Sequence, residues 1–351
     1  MDVFKRNINN IFFIFISSHL IIWTVIPSLT NQNLPLDTIE ALAWGSNLDW
    51  GFNKHPPASA FFVEIFYQIF GSQDWAYYLL SQVFVIISFY YVFKLSNEIL
   101  NDPRLSLISV LILEAIYFFN FTTPEYNVNV CQLPFWSIVV YYSWKIFQNK
   151  KILLKDCVIV GLFASIGFLS KYLFLYLLIS ICLLFIFYIF FKKTLKFDFK
   201  FLIIFEVFII LIIPHIIWLH NNDYITLTYG LKRTGIEASS FIDHIKYPAI
   251  FIAKQFGLLI PFFILIALLV KRIKFKINLK DKKLVFLIFV NLLPIFLMLL
   301  TSLITGSRIR TMWMTPFYLF FGLLGVYIFQ SQINLKKINH FLYGFIFLFF
   351  L

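Results

Sequence analysis

Charge, cysteine and the small residues are scarce in this sequence, and each shortage excludes something. Asp, Glu, Lys and Arg make up 13% of the 351 residues against 61% hydrophobic ones. With a mean hydropathy of +0.85, that balance excludes an ordinary soluble domain and reads as a polytopic membrane protein. The three cysteines, Cys131, Cys157 and Cys182, are scattered in or beside apolar segments without metal-ligand spacing, which leaves core packing as their role. No GxGxxG, no P-loop and no soluble nucleotide-binding half occurs. Ala, Gly, Pro and Arg are crowded out by Phe, with 47 copies, and by Ile, Tyr, Asn and Lys. A bias of that kind can come from the genome, so aromatic stripes carry no functional weight by themselves.

The formal net charge of +12 raises the question of a nucleic-acid partner. The basic residues answer it, because they fall in short clusters between apolar runs and form no long face for a duplex. They instead mark topology. Spans are expected at 10–28, 75–95, 104–120, 127–147, 155–170, 172–191, 200–219, 247–270, 284–304, 311–330 and 340–351, eleven helices in an all-α membrane protein. With the N-terminus cytoplasmic, most of the 29 Lys and Arg lie on the inner side, among them Lys5, Arg6, Lys150, Arg272 and Lys276. Lys54, Lys171, Lys232, Arg233, Lys246, Lys254, Arg308 and Arg310 are left at or near the outer side. The first apolar run has no small-residue cleavage site and is expected to stay as a helix.

That topology collects the polar residues on one face. The first outer loop, 29–74, contains LPLDTIEALAWGSNLDWGFNKHPP with Asp37, Glu40, Asp49, Lys54 and His55. A second holds Glu125, Asn127 and Asn129 in TTPEYNVNV; Lys171 ends the fifth span, the long loop 220–246 follows, and TGSRIRTMW carries Arg308 and Arg310. Asp37 followed by Glu40 also fits a capping box, with Asp37 as N-cap and Glu40 reaching back. Pro56 and Pro57 suit the start of a short interfacial helix over 57–71 that carries Glu64. On the functional side, two carboxylates three residues apart share a helical face and can hold a proton or a divalent cation beside a lipid-borne phosphate. Lys171 and Arg308 at helix ends read by default as snorkelling side chains. His215 and His220 are candidates for a metal site, although packing or bonding to a backbone carbonyl is the commoner role. Glu114 and Glu206 fall inside spans, where a carboxylate needs a function or a partner.

Taken in order, LPLDTIEALAWG, NKHPP, YNVNVCQLPFW, GFLSKYLFLY and RTMWMTPFYLFFG resemble the polyprenyl-phosphate-dependent GT-C glycosyltransferases over about residues 10–330. The nearest branch is the lipid A aminoarabinose and galacturonic acid transferases, with protein O-mannosyltransferases more distant. The resemblance implies a single GT-C-like transmembrane domain over 1–351 in the cytoplasmic (inner) membrane, with its active site on the outer, periplasmic face. It implies Asp37, with Glu40, as the catalytic acidic group, Glu125 with Asn127 and Asn129 as a second acidic or acceptor site, and a lysine before the double proline as a donor-phosphate ligand. His55 directly precedes Pro56, so Lys54 and His55 share that last role. Lys171, Arg308 and Arg310 join them as cations for a phosphate leaving group. The partners implied are a polyprenyl-phosphate sugar, a lipid A or other envelope glycolipid acceptor and membrane lipids, with no nucleic acid. A divalent metal ion, with Asp37, Glu40 and His55 as candidate ligands, is left open. A protein or cell-wall polymer acceptor is the alternative within the chemistry, and a multi-helix transporter or lipid flippase the alternative outside it; no half-to-half repeat favours transport. Family members commonly continue into a soluble outer domain, whereas this sequence ends in an apolar run, so no complete C-terminal domain is expected.

Overall fold

The computed structural model describes residues 2–148, 151–236, 239–271, 273–274 and 277–350. Lys150, Arg272 and Lys276 of the inner loops, and the side chains of Lys5 and Arg6, lie outside that description. The first apolar run is one helix, α1 (Asp2–Thr30). The polar loop after it holds α2 (Leu36–Gly45) and α3 (Ala58–Phe70), the latter following Pro57 as the sequence predicts. The long helix α4 (Asp74–Leu100) ends at Asn101 in the left-handed region, φ 55°. Asp102 then caps α5 (Pro103–Leu111) by accepting from the backbone N–H of Arg104 at 2.9 Å, and Pro103 occupies the first turn, where its missing donor costs nothing. The chain continues through α6 (Val128–Cys131), α7 (Leu133–Gln148), α8 (Leu154–Ser170), α9 (Leu175–Ile186), α10 (Lys200–Asn221) and α11 (Ile225–Thr234). It closes with α12 (Asp243–Leu269), α13 (Lys282–Thr305), α14 (Phe321–Phe329) and α15 (Ile338–Phe350).

Among the described residues, six helices are long and apolar enough to cross a membrane, and the Thr311–Tyr318 turn with α14, bent by 54°, can make a seventh. The eleven expected spans therefore differ from the helices observed. Ranges 127–147 and 155–170 fall on the shorter α7 and α8, and 104–120 breaks after Leu111 into tight turns at Ile112–Ala115 and Tyr117–Phe119. The break has a polar centre. Glu114 meets His19 of α1, Oε1 to Nδ1 at 2.6 Å, both buried, and Asn120 donates its amide to the Glu114 carbonyl at 2.7 Å. An intramembrane carboxylate requires such a partner, and the side-chain bond to a main-chain carbonyl takes the place of a lost helical one. Glu206 has no comparable setting and stands exposed on α10.

Lipid tails are as apolar as leucine, so the helices are held by close packing and interhelical polar contacts more than by flight from water. The pairs α1–α4, α4–α7, α7–α8 and α8–α10 pack in succession, and α13 packs on α9. Phe12 stacks on Phe93 with ring centres 4.1 Å apart, and Trp136 is wedged between Phe174 and Phe317. The closest approach joins α5 to α14, where a Cβ on Gly322 would lie 1.9 Å from the Ser109 carbonyl oxygen. Gly322→Ala is therefore expected to lower the melting temperature in detergent, by an amount equivalent to about 1–3 kcal/mol or more. Gly257→Ala, which meets nothing within 4 Å, should leave it unchanged; equal melting of the two variants would show that the contact is not limiting.

Candidate active site

The loop after α1 sets the site because of how α2 begins. Pro35, not Asp37, takes the N-cap position, and its carbonyl accepts from Thr38 and Ile39 N–H, both at 3.1 Å. The capping-box expectation is corrected accordingly. Asp37 sits inside the first turn with its side chain free of capping, and Glu40 pairs with Lys54 instead of reaching back. Spacing by three and four puts Asp37, Glu40, Ala41 and Trp44 on one face. Behind that face is a void of about 10 Å³, bounded also by His55, Ser59 and Asn127, with room for one water molecule.

The segment before α7 locks onto this helix. Thr38 donates its hydroxyl to the Tyr126 carbonyl at 3.1 Å, and the Asp37 N–H points to Glu125 Oε1 at 3.4 Å. Asn127 caps α6 by accepting from Asn129 and Val130 N–H, at 2.9 and 3.2 Å, while its amide donates to Glu125 Oε2 at 3.3 Å. Asn129 in turn accepts from Lys171 Nζ at 2.6 Å. Lys171 lies in extended backbone between α8 and the Tyr172–Phe174 turn, only 6% exposed, with its ammonium 5.2 Å from the Trp313 ring centre. It does not snorkel.

The remaining wall comes from α11 and from residues 310–313. Thr226 ties α11 to the first loop by donating to the Phe52 carbonyl at 2.6 Å, and Arg308 N–H donates to the Thr234 carbonyl at 2.9 Å. His215 bridges α10 to the same loop, with Nδ1 2.6 Å from the Trp50 carbonyl and Nε2 2.7 Å from the Tyr172 hydroxyl. A cavity of about 490 Å³ results, and Asp37, Glu40, Lys54, His55, Asn129, Lys171, Arg233 and Arg310 all line it. Carboxylates and cations thus share one cavity, with Lys54 bonded directly to Glu40.

Burial moves Asp37, Glu125, Lys171 and His55 toward neutrality, whereas the bond to Glu40 holds Lys54 charged. Burial raises Asp37 above the usual carboxylate range, Glu40 adds to the rise, and Lys171, Lys54 and Arg233 oppose it. Glu125 is raised by burial and then by Asp37. Burial brings Lys171 down to about 7, with Asp37 pulling the other way. His55 falls to about 3 through burial and then the neighbouring Lys171, Lys54 and Arg233. His55 is consequently uncharged near neutrality, and the cations beside the double proline are Lys54 and Lys171.

Not every expected residue enters. Arg308 is exposed and contributes only its backbone, so it lies outside the cavity. His220 meets Tyr224 at 3.2 Å, apart from the bridging His215. Among the described residues no group of three or more His, Cys, Asp or Glu side chains is placed to hold a metal, and Asp37, Glu40 and His55 do not make one. Thr226, Tyr229 and Trp313 line the cavity without having been singled out from sequence. The ending Lys232-Arg233-Thr234-Gly235, with basic residues in the last turn and Gly235 at φ 74°, is a helix stop that would have revealed α11 inside the 220–246 loop.

The depressed lysine yields a test that separates a ligand-binding role from a structural one. Lys171 titrates near 7 in the folded chain and near 10.5 unfolded, so its destabilising effect is fully present below about pH 7 and fades toward pH 10. Lys171→Met should raise the melting temperature of the purified chain at pH 7, and raise it less at pH 10. A fall at both pH values would show that the Asn129 bond makes Lys171 a net structural contributor.

Comparison with known proteins adds to this geometry. Residues 54–218 match the sequence family described as dolichyl-phosphate-mannose-protein mannosyltransferase, from Lys54 to the end of α10. No curated protein matches. Two solved structures of ArnT from Cupriavidus metallidurans, one bound to undecaprenyl phosphate and one in the apo state, each superpose with a TM-score of 0.67 at 13% identity. The matches cover 94% of this chain but 62% and 61% of those chains, so it spans about three-fifths of their length. The chain is a multi-pass membrane protein with the GT-C fold of ArnT, and over residues 54–218 it carries the sequence pattern of the dolichyl-phosphate-mannose-protein mannosyltransferase family.

Proposed function

We propose that this protein is an integral-membrane glycosyltransferase that moves a sugar from a polyprenyl phosphate to a lipid A or lipopolysaccharide-type acceptor on the outer face of the cytoplasmic membrane. The observation that carries the reading is the single cavity in which Asp37 faces Lys171, Lys54, Arg233 and Arg310. The ArnT structure bound to undecaprenyl phosphate supports a polyprenyl phosphate as the ligand of that cavity. Twenty-one per cent aromatic content does not.

In this reading an acceptor hydroxyl oxygen attacks the anomeric carbon, the bond from that carbon to the phosphate oxygen breaks, and polyprenyl phosphate leaves with the electron pair. The hydroxyl proton passes to Asp37, and the configuration inverts. A carboxylate raised by burial is a stronger base than one in water, which suits it to that proton. The cations meet charge that grows on the departing phosphate, from positions already set before the reaction. Glu125 and Asn127 fix the backbone of Asp37 rather than touch the reacting atoms.

The test is mass spectrometry of lipid A and other envelope glycolipids from cells with the gene, without it, and with Asp37→Asn. A sugar-sized mass absent from both the deletion and the variant is expected, with turnover of the variant reduced roughly 10²–10⁴-fold. Full activity of Asp37→Asn at normal membrane levels would remove Asp37 from the chemistry, and an unchanged glycolipid profile in the deletion would remove the acceptor class. A purified transfer assay adds a pH signature. The kcat/KM should rise with pH as Asp37 loses its proton and fall above about 7 as Lys171 loses its own. Lys171→Arg, charged throughout, should shift the alkaline limb upward; an unmoved limb would assign it to another group.

A further inference from the structure

A second cavity of about 550 Å³ opens at the far end of α2, lined by Trp44, Asn47, Asp49, Phe52, Asn53 and Trp218. Its aromatic content is not the general excess of this chain. The excess is in Phe and Tyr, whereas Trp occurs only 8 times, and two of those rings border this one hollow. Tryptophans at a membrane boundary often serve as interfacial anchors turned toward lipid. These two are set differently. Trp44 stacks on Phe52 with ring centres 5.4 Å apart and 14° between planes, and Trp218 lies parallel to the His215 ring at 6.2 Å. Trp218 also rests on Gly51, where any Cβ would fall 2.3 Å from the indole, so the glycine is what lets the ring close over the loop.

The polar groups of the hollow have unused capacity. Trp218 Nε1 is enclosed and does not open onto the hollow, so that capacity lies with the side chains at its rim. The exposed Asn53 makes no side-chain hydrogen bond among the described residues, and Asp49 spends one oxygen on the Trp50 N–H at 2.7 Å. Broad aromatic faces with amides and a carboxylate around them match a sugar ring, which offers an apolar C–H face and a rim of hydroxyls that both donate and accept. No cation lines the hollow, so a phosphate is not its ligand.

Position relates this cavity to the first. Trp44 is seven residues after Asp37 on the same helical face, about 10 Å along the axis. Its ring touches His55 at 5.9 Å, and His55 lines the donor cavity. We propose that the second cavity is a saccharide-binding subsite that holds a sugar unit of the acceptor while a hydroxyl farther along the acceptor reaches Asp37. The proposal rests on the glycosyltransferase reading for its acceptor and on the cavity itself for its sugar chemistry. Donor and acceptor then enter from opposite ends of α2.

Binding tests it without turnover. Lipid A, whose headgroup is a sugar, and phosphatidylglycerol, a two-chain anionic lipid without one, are titrated onto the purified full-length chain by surface plasmon resonance. The wild type should bind lipid A more tightly, and Trp218→Leu should weaken lipid A by about tenfold while leaving phosphatidylglycerol and polyprenyl phosphate unchanged. Asn53→Leu replaces an exposed side chain without internal bonds, so its folding is secure; it should weaken lipid A about threefold. Equal binding of the two lipids by the wild type, wild-type affinity for lipid A in both variants, or a parallel loss of polyprenyl phosphate would overturn the subsite. A chain that binds lipid A in this manner yet transfers nothing would instead overturn the preceding reading and leave the subsite standing.

Discussion

The ammonium of Lys171 is buried at the junction of α8 and α9, and the site is organised around satisfying it. Its partner Asn129 is fixed by the Asn127 cap of α6, Asn127 also holds Glu125, and Glu125 accepts from the Asp37 N–H. One hydrogen-bonded chain thus runs from the cation to the backbone of Asp37. In a medium of low dielectric such a network is costly if broken and stiff if complete. It fixes the relation between Asp37 and Lys171, the groups to which the proposed transfer assigns the proton and the phosphate, where a small misplacement would be felt most strongly.

The same desolvation acts with opposite sign on the two ends of that chain. A carboxylate in a dry place holds its proton more tightly, and an ammonium there gives its proton up more readily, so Asp37 and Lys171 both move toward the middle of the pH scale. Their mutual attraction restrains both shifts. An anion entering the cavity favours the charged lysine and the uncharged carboxyl, whereas a carboxyl that is to accept a proton must be ionised, so the proposed transfer needs the window in which Asp37 is ionised and Lys171 still protonated. The Glu40–Lys54 pair differs in kind. Both side chains are about 30% exposed, so the bond orients Lys54 without adding much to stability.

Legibility in the sequence followed the scarcity of charge. Asp37, Lys54, Lys171 and Arg310 stood out because a chain poor in charge gathers them at one membrane face, and the structure brings all four into one cavity. His55 shows where such reading stops. Its position before Pro56 suggested a cation, but its ionisation is decided first by an enclosure that no local pattern encodes, then by Lys171, over a hundred residues away, and then by the adjacent Lys54 and distant Arg233. The break in the 104–120 range was hidden for a similar reason, since Glu114 turns inward to meet His19, 95 residues earlier. In the motif Arg310 is only slightly favoured over Arg308, which reads by default as a snorkelling side chain. They separate because the backbone of Arg308 is tied to Thr234 with its side chain left outside, while Arg310 borders the cavity.

The walls are not held with equal strength, and that bears on how a membrane-borne molecule could enter. Asn129 lies in α6 and Lys171 directly after α8, both buried where α6, α7 and α8 pack together. By contrast, α11 carries mostly exposed side chains and makes no extensive packing contact with another helix among the described residues; it is tied by Thr226 to Phe52 and by Thr234 to Arg308. Elements with few buried contacts open at lower free energy than the core they cover. Arg233 and Tyr229 therefore ride on the wall that moves most easily, whereas Asp37 and Lys171 stay on the rigid one. Displacing α11 would widen the cavity without disturbing the hydrogen-bonded chain between Lys171 and Asp37, which would suit the lipid-linked donor proposed above.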